Sequence, residues 1–217
     1  LFHEACDVAP SRLAAIYRML IESIRTPLDY GRTMRLESEF HEAVRAKPDA
    51  ATVRELVTSV GAFHQDGISY EGLQDHLNLI LKYVKRAKRL KYGHADLIAI
   101  SKSLVAFQGE KLALDFVQRG IKLFPADPNF PFLAGMYYLT LGPEKCPLPK
   151  MIRCLTDADK LAQLGPGHEE LADNIRRMLK MAETMSVLGR VQRMKNLIGQ
   201  DTLIPSHLMN EIKDILG

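Results

Sequence analysis

The sequence predicts an all-α protein made of antiparallel helical hairpins, and three observations carry that prediction. Apolar residues recur every three or four positions along nearly the whole chain, and the strict alternation of a half-buried strand is almost absent. Prolines and glycines fall where helices of ordinary length would end. The intervening links are short, which forces successive helices to lie antiparallel. With 217 residues, 47% of them apolar and 25% charged, the chain is long and apolar enough to bury a core.

The elements follow in order. Leu13, Ile16, Leu20 and Ile24 form one stripe of a helix over 11–25, placed between Pro10 and Pro27. A turn at 29–32, flexible at Gly31, leads to a second helix over 33–46 with Leu36, Phe40, Ala43 and Val44 inward and Pro48 after it. Asp49 caps a third helix over 50–64 that carries Val53, Leu56, Val57 and Val60. A turn at 65–67 precedes a long fourth helix over 70–91, with Ser69 as its N-cap, Leu73, Leu77, Ile80, Val84 and Ala87 as its stripe, and Gly93 as its stop. Helices over 95–107 and 110–124 are split by Gln108-Gly109. Pro125, Pro128 and Pro131 mark a boundary before a short helix over 132–141. Pro147 and Pro149 hold an extended loop before a helix over 150–164, which Gly165-Pro166-Gly167 ends. A helix over 169–188, a short basic segment between Gly189 and Gly199, and a last helix over 206–216 complete a count near eleven.

The middle of the chain shows a repeat period. Leu97, Ile100, Ser101 and Leu104 lie on one helix, and Ala113, Val117, Gly120 and Leu123 on the next, with Pro125 closing the pair. One period later come Gly135 and Tyr138, with Phe130 and Phe132 flanking Pro131, then Ala158, Leu161, Leu164 and Pro166. Phe40, Ala43 and Pro48 make a partial third match. In these residues the chain resembles the tetratricopeptide repeat family, over 94–166 and more weakly over 33–48. It departs from the family in having no Trp and in an insertion through 144–149. The resemblance implies a short α-solenoid whose concave face binds a peptide or a partner subunit. The whole of 1–217 then forms a single helical-repeat domain, with 167–217 as capping C-terminal helices.

The clearest charge feature lies on the fourth helix. Lys82, Lys85, Arg86, Lys88, Arg89 and Lys91 occur with no acidic residue between Asp75 and Asp96, and Tyr92 offers a ring beside them. Lys82, Lys85, Arg86, Arg89 and Tyr92 are the candidate partner-binding residues, suited to an acidic protein partner or to RNA, or else a solvated helix face near a C-terminal dipole. A second basic set, Arg176, Arg177, Lys180, Arg190, Arg193 and Lys195, is interleaved with Glu169, Glu170, Asp173 and Glu183 and pairs largely within its own helix. Met178, Met181 and Met185 read as core.

Catalytic chemistry finds little support. The seven histidines are scattered without an H-x-x-x-H pair, the three cysteines have no zinc spacing, and no phosphate-cradling glycine motif occurs. Cys154 on an apolar helix face reads as a structural thiol. No catalytic residue, cofactor or metal ligand is therefore assigned. The sparse, odd number of cysteines suits a reducing compartment: the cytoplasm, the nucleus or the mitochondrial matrix. No apolar run reaches the roughly 20 residues of a membrane span, and no small-molecule substrate is evident. The reading that follows is a non-catalytic protein–protein interaction scaffold, a subunit or fragment of a larger assembly. An RNA-associated helical repeat using 82–91 is the alternative, and an enzyme on a helical scaffold the third reading.

Overall fold

The computed structural model describes residues 11–26, 30–65, 67, 70, 72–141 and 147–198, without the side chains of 187, 188 and 190–198. The described residues form nine α-helices and no strand: α1 Arg12–Arg25, α2 Tyr30–Ala43, α3 Ala50–Gln65, α4 Leu73–Ala87, α5 His94–Ala106, α6 Glu110–Leu123, α7 Asn129–Thr140, α8 Leu148–Gln163 and α9 Glu169–Ile198. The all-α, helical-hairpin expectation is met. Contacts divide the chain into two compact units, 1–120 and 121–217.

In the first unit, α1 packs on α2 and α3 packs on α4, while α1, α3 and α5 pack successively on one another. Hairpins thus stack through their first helices, as the tetratricopeptide resemblance implies. Local chemistry sets several ends. Ser11 caps α1 by accepting from the Ala14 N–H at 3.3 Å, and Asp49 caps α3 by accepting from the Thr52 N–H at 2.9 Å. The core around α1 joins Tyr17 to Phe40 and Phe63 at ring distances of 5.5 and 6.2 Å. Burial pushes the Tyr17 hydroxyl up to about 12. At the α3–α5 crossing, a Cβ built on Gly61 would lie 2.9 Å from Ser103 Cβ and 3.2 Å from Ser103 Cα. Only hydrogen at this position lets the two helices sit so close.

In the second unit, α8 packs against both α7 and α9. Met151, Leu155, Ala158, Ala162, Ala172, Ile175 and Ala182 form its buried centre, with Tyr138 and Met178 against it. Gly135 serves as the small residue the repeat pattern requires, since a Cβ there would meet Leu155 Cδ2 at 2.6 Å. Phe124 stacks on the fully buried Phe130, with ring centroids 5.8 Å apart. Met181 is 52% exposed and so lacks the inward place expected of it.

Other boundaries also differ from expectation. The chain is already helical at Tyr30, so Gly31 lies inside α2 and not in a turn. The prolines expected to delay α7 and α8 instead sit in their first turns: Pro131 within α7 and Pro149 at the start of α8. First-turn N–H groups have no intrahelical acceptor, so proline costs nothing there. α9 runs unbroken through Gly189, because one helical glycine costs only about 1 kcal/mol. α4 spans Leu73–Ala87, shorter than the predicted 70–91. Its N-cap is Gly72, at φ +82°. The expected Ser69 cap, the 142–146 part of the insertion and the last helix at 206–216 lie outside the described residues. No helix of the described residues is long and apolar enough to cross a membrane.

The α3–α5 crossing yields a direct prediction. Gly61→Val should lower unfolding free energy by about 2–3 kcal/mol, because the added methyls meet the Ser103 backbone. Urea unfolding followed by circular dichroism measures it. Unchanged stability would show that the two helices are not in this close contact.

Candidate functional site

The first unit holds a cleft of about 550 Å³. That volume lies within the usual range for ligand sites, roughly 300–1,000 Å³. Arg12 and Leu13 come from the start of α1, and Glu39, Glu42 and Ala43 from the second half of α2. Arg45, Ala46 and Lys47 follow from the turn, Asp49 and Thr52 from the start of α3, and Tyr83 from α4. Charges of both signs (Arg12, Glu39, Glu42, Arg45, Lys47 and Asp49) share the lining with Leu13, Ala43 and Tyr83. The lining contains neither His nor Cys.

Arg86 makes one rim of this cleft rigid. Its guanidinium donates to the carbonyls of Val44, Arg45 and Ala46, the last two at 3.1 Å. It also lies over the Tyr83 ring, 5.4 Å from the centroid. These carbonyls follow the end of α2 and have no helical partner. A planar fork of N–H donors satisfies all three at once. Asp49 holds the start of α3 in the same lining: besides its backbone bond, it accepts from the Thr52 hydroxyl at 2.6 Å. That hydroxyl, and next the Thr52 N–H, hold the Asp49 carboxyl below its ordinary value of 3.8.

The five residues singled out in the sequence therefore separate. Arg86 is engaged with the turn. Tyr92 is 7% exposed, donates to the Ala87 carbonyl at 3.1 Å and meets Phe116 edge-on at 5.4 Å. Burial pushes its hydroxyl up to about 12. Lys82, Lys85 and Arg89 are exposed, Lys82 and Lys85 on α4 and Arg89 in the turn after it. Of the neighbouring cations, Lys88 pairs with Asp115 at 3.0 Å. In the second basic set, Arg176 pairs with Asp173 at 2.9 Å, as the interleaving predicted. Half-burial raises the Cys154 thiol, the opposite of what a thiolate nucleophile requires.

One cluster escaped the sequence reading. Glu37 and His41, four apart on α2, meet His76 of α4, and one ligand atom from each lies within 4.8 Å of the others. His76 is 3% exposed. Its Nδ1 lies 2.7 Å from the Tyr70 hydroxyl, and its Nε2 has no hydrogen-bond partner. Desolvation lowers the His76 pKa, while the Glu37 carboxylate pulls against it. A search for paired histidines passes over an E-x-x-x-H pair completed from another helix.

Two rim variants test this construction. Arg86→Ala should destabilise the protein by about 1–3 kcal/mol, since three carbonyls lose a charged donor. Arg86→Lys should restore little of that, because an ammonium cannot reproduce the fork. Full rescue by lysine, read in denaturant melts, would show that charge alone matters. Asp49→Ala should cost about 1 kcal/mol at neutral pH. A carboxyl whose folded pKa is depressed contributes fully above its unfolded value and loses that contribution as pH falls through the folded one. The gap between wild type and Asp49→Ala should therefore begin to narrow below about pH 4. Melts at pH 7 and pH 3 that show an equal gap would contradict the capping role of the ionised form.

Neither a protein-family model nor a curated protein sequence matches this chain. Two solved structures resemble part of it. One is PcrH from Pseudomonas aeruginosa, 20% identical with a TM-score of 0.42, aligned over 63% of this chain and 96% of that one. The other is PcrH in complex with the chaperone binding region of PopB, also 20% identical with a TM-score of 0.42, over 62% and 100% of the two chains.

Proposed function

We propose that this chain is a non-catalytic helical scaffold that holds a peptide segment of a partner protein in the cleft between its first two hairpins. The observation that carries this reading is the cleft itself. It is of ligand size, its lining joins charges of both signs to Leu13, Ala43 and Tyr83, and hydrogen bonds from Arg86 and to Asp49 hold two of its segments. Segments held in this way lower the ordering cost of binding, which favours recognition by a fixed surface. Lys82, Lys85 and Arg89 add cations on α4 and the turn after it, and these attract acidic flanking residues and accelerate encounter more than they add affinity. An RNA reading needs rings beside those cations, and the inward Tyr92 does not supply one. The partner, on this reading, presents an apolar side chain flanked by acidic residues.

Selection from a displayed peptide library against the immobilised chain tests the proposal. Enriched peptides should carry that pattern and lose at least tenfold in affinity for Ala43→Arg, which fills the cleft. Reversal of Lys82, Lys85 and Arg89 to Glu should slow association and remove most of its salt dependence. Peptides that bind Ala43→Arg as well as wild type would overturn the assignment of the cleft. Binding retained only as nuclease-sensitive RNA would overturn the peptide reading.

A further inference from the structure

We propose that Glu37, His41 and His76 form a binding site for one divalent transition-metal ion of the zinc class, which ties α2 to α4. Three features of the cluster point there.

The first is orientation. The Tyr70 hydroxyl and the His76 ring are in hydrogen-bond contact, Oη to Nδ1 at 2.7 Å, and either atom can be the donor. In the tautomer that carries its proton on Nδ1, His76 donates to the Tyr70 oxygen. This tautomer leaves a lone pair on Nε2, aimed at Glu37 and His41. A ligating histidine characteristically has its other nitrogen held in this way by an outer partner.

The second is spacing. Bonds of about 2.0–2.1 Å in a tetrahedral site put neighbouring ligand atoms about 3.4 Å apart. Glu37 Oε1 and His76 Nε2 are 3.4 Å apart. Two imidazoles sharing such an ion have ring centroids about 5 Å apart. Those of His41 and His76 are 5.8 Å apart. A small rotation of the half-buried His41 therefore closes the site without backbone movement.

The third is the unpartnered atom. His76 is 97% buried by its 3% exposure, and its Nε2 has no hydrogen-bond partner. Two imidazoles and one carboxylate suit zinc and its transition-metal neighbours, whereas calcium and magnesium prefer all-oxygen ligands. Glu37 is 48% exposed, which leaves a fourth position open to water. The site stands whether or not the cleft on the other hairpin rim is occupied.

The test uses the full chain without a histidine tag, stripped with chelator and titrated with Zn²⁺ by calorimetry and thermal unfolding, with Co²⁺ as a spectroscopic probe. The expected result is one Zn²⁺ per chain, a raised unfolding temperature and visible Co²⁺ absorption of a low-coordinate N/O site. His41→Ala and Glu37→Gln, both on the outer side of α2, should each weaken Zn²⁺ binding at least tenfold. Tyr70→Phe should weaken it about ten- to a hundredfold through loss of the Nδ1 acceptor. His168→Ala should leave it unchanged. No stabilisation by Zn²⁺, unaltered affinity in both α2 variants, or an equal loss in His168→Ala would overturn the site and identify an adventitious ion only.

Discussion

The close crossing of α3 and α5 at Gly61 and Ser103 is the constraint on which the first unit depends. It brings α3 into a row with α1 and α5, and α3 also packs on α4. Val53, Leu56 and Val57 are fully buried in consequence. The partner helices then need only one inward stripe each. α2 buries Leu36 and Phe40 and leaves the rest of its circumference half-buried or exposed. A helix held by so narrow a stripe needs help at its ends, and its exposed flank is free to wall a cleft. The architecture and the candidate site are thus two results of one packing arrangement.

That help comes from side chains that resemble surface charges in one dimension. Arg86 satisfies three carbonyls beyond α2. Tyr92 takes the Ala87 carbonyl, and Arg119 donates to the Lys88 carbonyl at 2.8 Å. Together these close the end of α4. A hydrogen bond to a charged donor contributes about 1.5–3 kcal/mol, against about 0–1 for an exposed ion pair. The larger of these effects determines where the cations of this region go. Of the five residues singled out in the sequence, Lys82, Lys85 and Arg89 stay exposed and form no ion pair among the described residues.

This division explains which parts of the fold were legible in the sequence. α1, α3, α5 and α6 begin or end within one residue of expectation, because Ser11, Asp49 and the Gln108-Gly109 turn act locally. Gln108 takes φ +64° there, a left-handed conformation beside the flexible glycine. The end of α4 was not legible, since nothing in 88–92 stops a helix by itself. Its stop is made by Tyr92 and Arg119, the latter 31 residues away from the carbonyl it reaches. The first turns of α7 and α8 were misread because proline is a terminator in the middle of a helix and neutral at its start. The cleft was invisible for a similar reason: its walls come from four helices and a turn, and no contiguous motif encodes it.

Arg86 and His76 show two outcomes of placing polar chemistry against an apolar framework. Every bond Arg86 makes goes to a group that would otherwise lack a helical partner, so its desolvation is offset within the chain. His76 is more deeply placed and less well satisfied: Tyr70 takes Nδ1, and Nε2 has only a long 3.4 Å contact with the Glu37 carboxylate, outside good hydrogen-bond geometry. A buried polar atom left this way costs about 1–3 kcal/mol, an appreciable part of the marginal stability of a domain. An apolar residue would remove that cost and fill the same space beside Phe40, whose ring lies 5.3 Å away. The physical case for a histidine at this position is therefore a group that uses the Nε2 lone pair, and the two side chains facing it are a second imidazole and a carboxylate.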